Sequence, residues 1–519
     1  MTPIIIFALL LGTAWTGRAS VARVDVDPAL HSGDIALIQV AAGTAWTVAH
    51  DLTSAGATEV AAFDSVNVVS ARVSDQALAA IATDRSVLRA TTDAHVAAVG
   101  GGKNGRDLDK VGSASTKDSI GIAAINAADA WSFTTGAGVV VALMDSGIAA
   151  HPDLPSGKVI ARVDFADDGA PGLDPAGHGT HLAGVIAGHG TTFRGVAPDA
   201  RLVDIRVLDE SGEGTLRGVV SGFDWLLKNR AALSIRVLNL SFGMTQTSSY
   251  HSDLLAALAE SAWFAGVTVV AAAGNDGPEA GTISTPGADP FIITAGSFDD
   301  QGTRNEQDDR VSGFSSRGPT LDGFTKPDVL APGRRVVSLR AAGSQAAPIQ
   351  SEHGSSQDGK PSNTSNNLYT RMSGTSVSSA MVSGVAALVL SFHASYTPTK
   401  TKGAILAFGR SITGSPTKAV IAPSAVLMPP RTVNSQLLPS RLLMTALEKS
   451  GLVGTGTTWE GVTWEGVTWE AVTWESVTWE AVTWESVSWE AVTWESVSWE
   501  GVAWEQVSVT QHSAGGVSR

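Results

Sequence analysis

The sequence predicts an α/β fold on a doubly wound, mostly parallel sheet, preceded by a small α+β domain. Two observations carry this. Between residues 120 and 410, uninterrupted apolar runs alternate with helix-like stretches, as in parallel strands covered on both faces. The 519 residues also include 55 glycines and only 16% charged residues, against averages of about 7% and about 25%. That profile favours tight turns and small-residue packing.

In chain order, Ile4 to Leu11 is an apolar run of eight residues. It is far shorter than the ~20 residues of a membrane span and suits a signal peptide. Ser20-Val21-Ala22 offers a small-x-small cleavage site, so residues 1–22 are expected to be an export signal. Residues 34–99 follow as a compact unit. Ile35 to Val40 and Val66 to Val73 read as strands. Ser74 reads as the N-cap of a helix through Leu78 and Ile81, with Asp75 favourably placed in its first turn. Residues 100–119 turn to Gly, Lys, Asn, Asp and Ser, the composition of a linker.

The strands of the main unit are expected at Val139 to Met144, Arg201 to Val207, Ile235 to Leu240, Val267 to Ala273 and Phe291 to Ala295. Helices are expected at Thr180 to Ala187, Leu216 to Asn229 and Ser252 to Phe264. Sites in such sheets form at the carboxyl ends of strands. Asp145, Ser241 and Asn275 fall there.

Two further polar residues open small-residue helices. His178 lies in Gly177-His178-Gly179-Thr180-His181, and Ser376 in Ser373-Gly374-Thr375-Ser376 ahead of Val377 to Phe392. A serine at a helix start sits where free N–H groups and the positive dipole end favour an acyl-transfer oxyanion. Gly374 would let a substrate approach the backbone closely. Taken singly, an aspartate ending a strand or a serine at a helix start is usually a cap. In the order Asp, His, Ser, each inside a glycine-bearing motif, they point to nucleophilic catalysis.

These segments resemble the subtilisin-like serine proteases, the subtilases. The resemblance rests on VVVALMDSGI (139–148), GHGTHLAGVIAG (177–188), VVAAAGNDGP (269–278) and GTSVSSAMVSG (374–384). NLSFG (239–243), FSSRGP (314–319) and KPDVLAPG (326–333) extend it. The order Asp–His–Ser is that of subtilisin. The resemblance implies a subtilisin-like catalytic domain over 120–410 and a catalytic triad of Asp145, His178 and Ser376. It also implies Asn275 in the oxyanion hole, and Ser241, Phe242, Gly243, Ala273 and Gly274 beside the substrate. Residues 34–99 resemble a folding-assisting, inhibitory propeptide removed by a cut in 100–119. Val377, Ser378 and Ala380 depart from the usual Met, Ala and Pro of the nucleophile motif, so the packing behind Ser376 is expected to differ. His151, His181 and His189 receive no catalytic role.

No cofactor is needed for this chemistry. The chain has no cysteine, which excludes disulfides, thiol nucleophiles and cysteine-bound metals. Structural calcium, common in the family, is left open because no run of oxygen ligands stands out. The net charge of −15 disfavours a nucleic-acid partner. Protein or peptide substrates and the chain's own propeptide are the expected partners, and secretion the expected location.

Beyond 410, residues 411–456 read as a C-terminal extension, 457–508 as a repeat and 509–519 as a tail. Residues 344–368 read as an exposed loop insert. In the repeat, ten tryptophans from Trp459 to Trp504 recur every five residues, each followed by glutamate. A period of five makes no single face on a helix. A strand that turns at each small residue would keep Val and Trp together, suggesting a β-coil of stacked repeats. Such aromatic platforms suit a cell-surface or polymer partner, or self-association. The competing overall reading is a non-catalytic surface or adhesion protein using this repeat. An esterase is disfavoured because the serine does not lie in a Gly-x-Ser-x-Gly elbow.

Overall fold

The computed structural model describes residues 24–99, 117–166, 172–191, 193–346, 368–435 and 437–443 in full. It describes backbone alone at 348–349, 366–367 and in short strands between 458 and 509. The expected signal, most of the linker and most of the 344–368 insert lie outside the described residues.

The main sheet has eight strands. Its order is Arg310–Val311, Ile293–Asp299, Thr268–Ala272, Ile235–Leu240, Val140–Asp145, Arg201–Arg206 and Val159–Asp164, with Val329–Pro332 also pairing Ile293–Asp299. All pairs are parallel except the short Arg310–Val311 edge. The chain leaves the central strand Val140–Asp145 toward one side and returns on the other, so Asp145 ends the strand at the topological switch point. Every residue of that strand is buried, which explains its unbroken apolar run.

The helix Thr375–Phe392 runs through the core and is almost wholly buried. It is the one helix among the described residues long and apolar enough to cross a membrane, and here its apolar surface is spent on packing. Its small residues permit close approach. A Cβ on Gly384 would stand 2.5 Å from the Val196 Cβ.

The N-terminal unit is a five-stranded sheet in the order Asp25–Val26, Val87–Thr92, Ile35–Val40, Val68–Arg72, Thr58–Phe63. Helices Ala45–Ser54 and Asp75–Ile81 pack on one face, and Ser74 caps the second by accepting the Ala77 N–H at 3.1 Å. Alternation along Ile35–Val40 divides its side chains. Ala36, Ile38 and Val40 enter the unit's own core, whereas Leu37 joins the core of the main unit. Val69 and Val68 divide in the same way. The seam is also polar. Asp224 accepts the Ser65 N–H at 3.1 Å, Lys228 pairs with Asp64 at 2.7 Å, and Asp93 accepts the Arg217 N–H at 2.8 Å.

Two expected boundaries move. The linker's end is anchored, since Asp118 pairs with Arg371 and the Ser119 hydroxyl donates to Asp300 at 2.6 Å. The main unit also continues past 410. Helix Ala422–Leu427 packs into the main core, and Leu330 pairs with Ala419. Further on, the Ser440 N–H donates to Glu260 at 2.8 Å, and Leu442 and Leu443 pack with Ala257 and with Leu88 of the N-terminal unit.

In the repeat, strands pair in parallel with those twenty residues away, as Trp459 with Trp479 and Trp479 with Trp499. Four pentapeptides therefore make one coil, with Trp stacked over Trp and Glu over Glu from coil to coil.

Candidate active site

Three elements converge on one point. Asp145 ends the central strand, His178 opens the helix His178–Ala187, and Ser376 is the second residue of Thr375–Phe392. Gly177, just before the histidine, has φ +82, a left-handed conformation that glycine adopts without strain. A Cβ there would also stand 2.7 Å from the Ser344 hydroxyl.

The His178 Nδ1 lies 2.7 Å from Asp145 Oδ1, with both side chains buried. The same oxygen accepts the Ser146 N–H at 2.8 Å. The Asp145 contact fixes the tautomer that leaves Nε2 free to take a proton. Burial pushes the imidazole down, but the facing Asp145 carboxylate, with Asp174 behind it, reverses the sign and holds it above the ordinary histidine value. His178 Nε2 and the Ser376 hydroxyl are both buried without a hydrogen-bond partner among the described residues.

Asn275 is oriented by its carbonyl end, which accepts the Thr375 N–H at 3.0 Å and the Thr375 hydroxyl at 3.1 Å. Its NH2 end is what remains to donate. The altered residues behind Ser376 are accommodated. The Ser378 hydroxyl donates to the Ala331 carbonyl at 3.1 Å, and Val377 and Ala380 are fully buried. Ser241 lies under the same turn, its hydroxyl 3.2 Å from the Ser376 carbonyl and 2.9 Å from the Ser379 hydroxyl.

The cleft is filled by the chain itself. Strand His95–Ala98 lies between Glu213–Thr215 and Phe242–Thr245, antiparallel to both, with Ala98 opposite Phe242 and Ala97 opposite Gly243. The Val99 N–H donates to the Ser241 carbonyl at 2.8 Å, and the Ser376 N–H donates to the Val99 carbonyl at 3.3 Å. Ser241, Phe242 and Gly243 thus flank the strand directly. Gly274 lies one layer back, its N–H donating to the Thr375 hydroxyl at 3.1 Å, and Ala273 is buried with Ile283 and Ala288.

Sequence reading missed the second flank. The Gly212 carbonyl accepts the Ala98 N–H at 2.8 Å, and the only local signal was the small-residue run Ser211-Gly212-Glu213-Gly214 before a helix. His181 is excluded from the chemistry. Its Nε2 is 3.0 Å from the Val336 carbonyl, and burial lowers it to about 3. His151 likewise contacts the Leu368 carbonyl at 2.8 Å, and His189 pairs with Asp199 at 3.2 Å. Among the described residues, no group of three or more His, Asp or Glu side chains could hold a metal.

The family profile described as "Subtilase family" matches residues 136–418, which is more than half of the chain. The chain belongs to the subtilase family. It is similar to the serine protease AprX of Bacillus subtilis, 39% identical over 277 residues, 52% of this chain and 60% of that protein. It is also similar to subtilisin DY of Bacillus licheniformis, 36% identical over 261 residues, 49% of this chain and 78% of that protein. The match therefore spans less than two thirds of AprX. Among solved structures, fervidolysin from Fervidobacterium pennivorans, a keratinolytic enzyme related to subtilisin, superposes with a TM-score of 0.61. At 22% identity, over 79% of this chain and 64% of that one, this shows a shared fold.

Proposed function

We propose that this subtilase is a secreted serine endopeptidase that first processes itself and then cleaves protein substrates through an acyl-enzyme on Ser376. The observation that carries the reading is the Val99 carbonyl, which accepts the Ser376 N–H at 3.3 Å while its strand is paired on both sides. That is where a substrate's scissile carbonyl has to lie.

In this reading the Ser376 hydroxyl attacks the Val99 carbonyl carbon and its proton passes to His178 Nε2. Asp145 stabilises the imidazolium. The Ser376 N–H and the Asn275 amide hold the oxyanion. Collapse breaks the Val99–Gly100 bond, with His178 returning the proton to the departing Gly100 amine. Water, deprotonated by His178, then releases Val99. The cut falls at the leading edge of the 100–119 stretch, and residues up to Val99 act as propeptide. Main-chain pairing supports recognition of many sequences in extended form.

Export is supported by the Ile4–Leu11 run. The repeat is assigned to attachment or self-association, supported by its in-register stacking. Deletion after Gly454 is expected to leave hydrolysis intact.

The test is fluorophosphonate labelling with casein hydrolysis alongside. Wild type is expected to label at Ser376 and to digest casein, and Ser376→Ala to do neither. Equal behaviour of the two proteins would overturn the reading.

A further inference from the structure

Behind the Asp145–His178 pair lies a second buried carboxylate that none of these steps uses. Asp174 is 3% exposed and lies in the loop entering the histidine helix. One of its oxygens accepts the Gly177 N–H and the Ser146 hydroxyl, both at 2.8 Å, and the other accepts the Thr180 N–H at 2.7 Å. Gly177 stands at the cap position of that helix and has no side chain to offer, so Asp174 supplies the cap from three residues upstream.

Ser146 links the two carboxylates. Its hydroxyl is 2.8 Å from Asp174 Oδ1 and 3.2 Å from Asp145 Oδ1, while accepting the Gly179 N–H at 3.0 Å. A hydroxyl has one hydrogen to donate, and the shorter distance gives it to Asp174. Asp145 is left with the His178 ring and the Ser146 N–H on Oδ1, and with Oδ2 buried and unpartnered among the described residues. A donor added to a carboxylate stabilises its anion and weakens its hold on a neighbouring proton.

We propose that Asp174 is a positioning residue of the catalytic machinery: it fixes the entry of the histidine helix and, by drawing the Ser146 hydroxyl away from Asp145, keeps Asp145 a strong partner for the His178 imidazolium. The inference rests on the serine-endopeptidase reading of the same site.

The other charged groups nearby are spoken for. Arg162 pairs with Asp204 at 2.8 Å, and Arg206 pairs with Asp164 at 2.9 Å while donating to the Ser146 carbonyl. His181, one turn along the helix, is held neutral by burial. The charges left facing His178 are therefore Asp145 and Asp174. Burial pushes Asp174 upward, yet two amides and the Ser146 and Thr180 side chains converge on its carboxylate, an arrangement that suits the anion.

The test follows self-cleavage of the full chain against pH, together with kcat and KM on Val-Ala-Ala-Val-p-nitroanilide. In Asp174→Asn the facing charge is gone and the Ser146 hydroxyl is free to turn to Asp145. Plateau kcat is expected to fall about ten- to a hundredfold, with KM within about twofold. The acid limb is expected to move down by about one pH unit, because a less stabilised imidazolium gives up its proton earlier. Ser146→Ala, which keeps the Asp174 charge, is expected to lower kcat without that downward move, and Ser146→Thr to restore it. An acid limb unmoved in Asp174→Asn would reduce Asp174 to a helix cap, and unchanged kcat in both Asp174→Asn and Ser146→Ala would remove any role. If Asp174→Asn does not fold, the Ser146 pair decides by the same kcat criterion. Loss of wild-type casein hydrolysis and labelling would instead bring down the underlying reading.

Discussion

The two large sheets of this molecule are both covered on two faces, but by different means. The main sheet is covered by its own helices, among them His178–Ala187, Leu216–Asn229 and Thr375–Phe392. The N-terminal sheet has helices Ala45–Ser54 and Asp75–Ile81 on one face only, and the main unit covers the other. Leu37, Val66 and Val68 are buried within the core cluster of the main unit. Each such side chain contributes about 1.5–3 kcal/mol when buried. The N-terminal unit is therefore a half-finished domain, held by its partner and by one strand in the cleft. That design fits the proposed self-processing, in which the segment would dock, be cut and leave.

Experiments can break this comparison at points of decreasing consequence. The largest effect is expected from Asn275→Ala, which would remove one donor of the proposed oxyanion hole. A loss of about 10²–10³ in kcat is expected, a magnitude established on a subtilisin, read from initial rates on a peptide p-nitroanilide. Leu37→Asp puts a charge on the shared face while sparing the N-terminal unit's own core. It is expected to shorten the lag between self-cleavage and full activity about tenfold or more, measured as casein hydrolysis over time. A lag equal to wild type would show that the cleft strand alone retains the propeptide.

A smaller effect is expected at the C-terminal segment, whose Leu442 carbonyl accepts from the Gln39 side chain at 3.4 Å and whose leucines meet Leu88. Leu442→Asp lies outside the N-terminal unit and is expected to shorten the same lag severalfold while leaving the final rate unchanged. The smallest effect is expected for Glu260→Gln. Burial beside Asp289 pushes the Glu260 carboxyl strongly upward, which favours its neutral form. Its pairing with the Ser440 N–H survives in the amide. Thermal unfolding at pH 7 is expected to shift by no more than a few degrees.

The same contrast explains what could be read from the sequence. The strand at 140–145 was legible as an unbroken apolar run and the helices at 178 and 375 as small-residue runs, because each is almost wholly buried, and the candidate site residues sit at their ends. Asp145, His178 and Ser376 stood out at those ends. Asp174 and Ser146 did not, because a carboxylate in a polar loop looks like any turn residue until the histidine helix is folded against it. Residues 212–215 were missed for a related reason: their role is a main-chain pairing with a strand over a hundred residues away. Helix Ala45–Ser54 did carry its own signal in Ala45, Val48, Ala49 and Leu52, spaced by three and four. Residues 411–456 read as a C-terminal extension because the contacts of this segment with Leu330, Glu260 and the N-terminal unit are all long-range.

The central claim is that the propeptide ends at Val99 because the Val99 carbonyl occupies the acylation site. N-terminal sequencing of the processed chain, beside Ser376→Ala treated identically, tests it most directly. The account predicts a new N-terminus at Gly100 in wild type and an intact chain in the variant. A wild-type cut at another bond, or the same cut in Ser376→Ala, would contradict it.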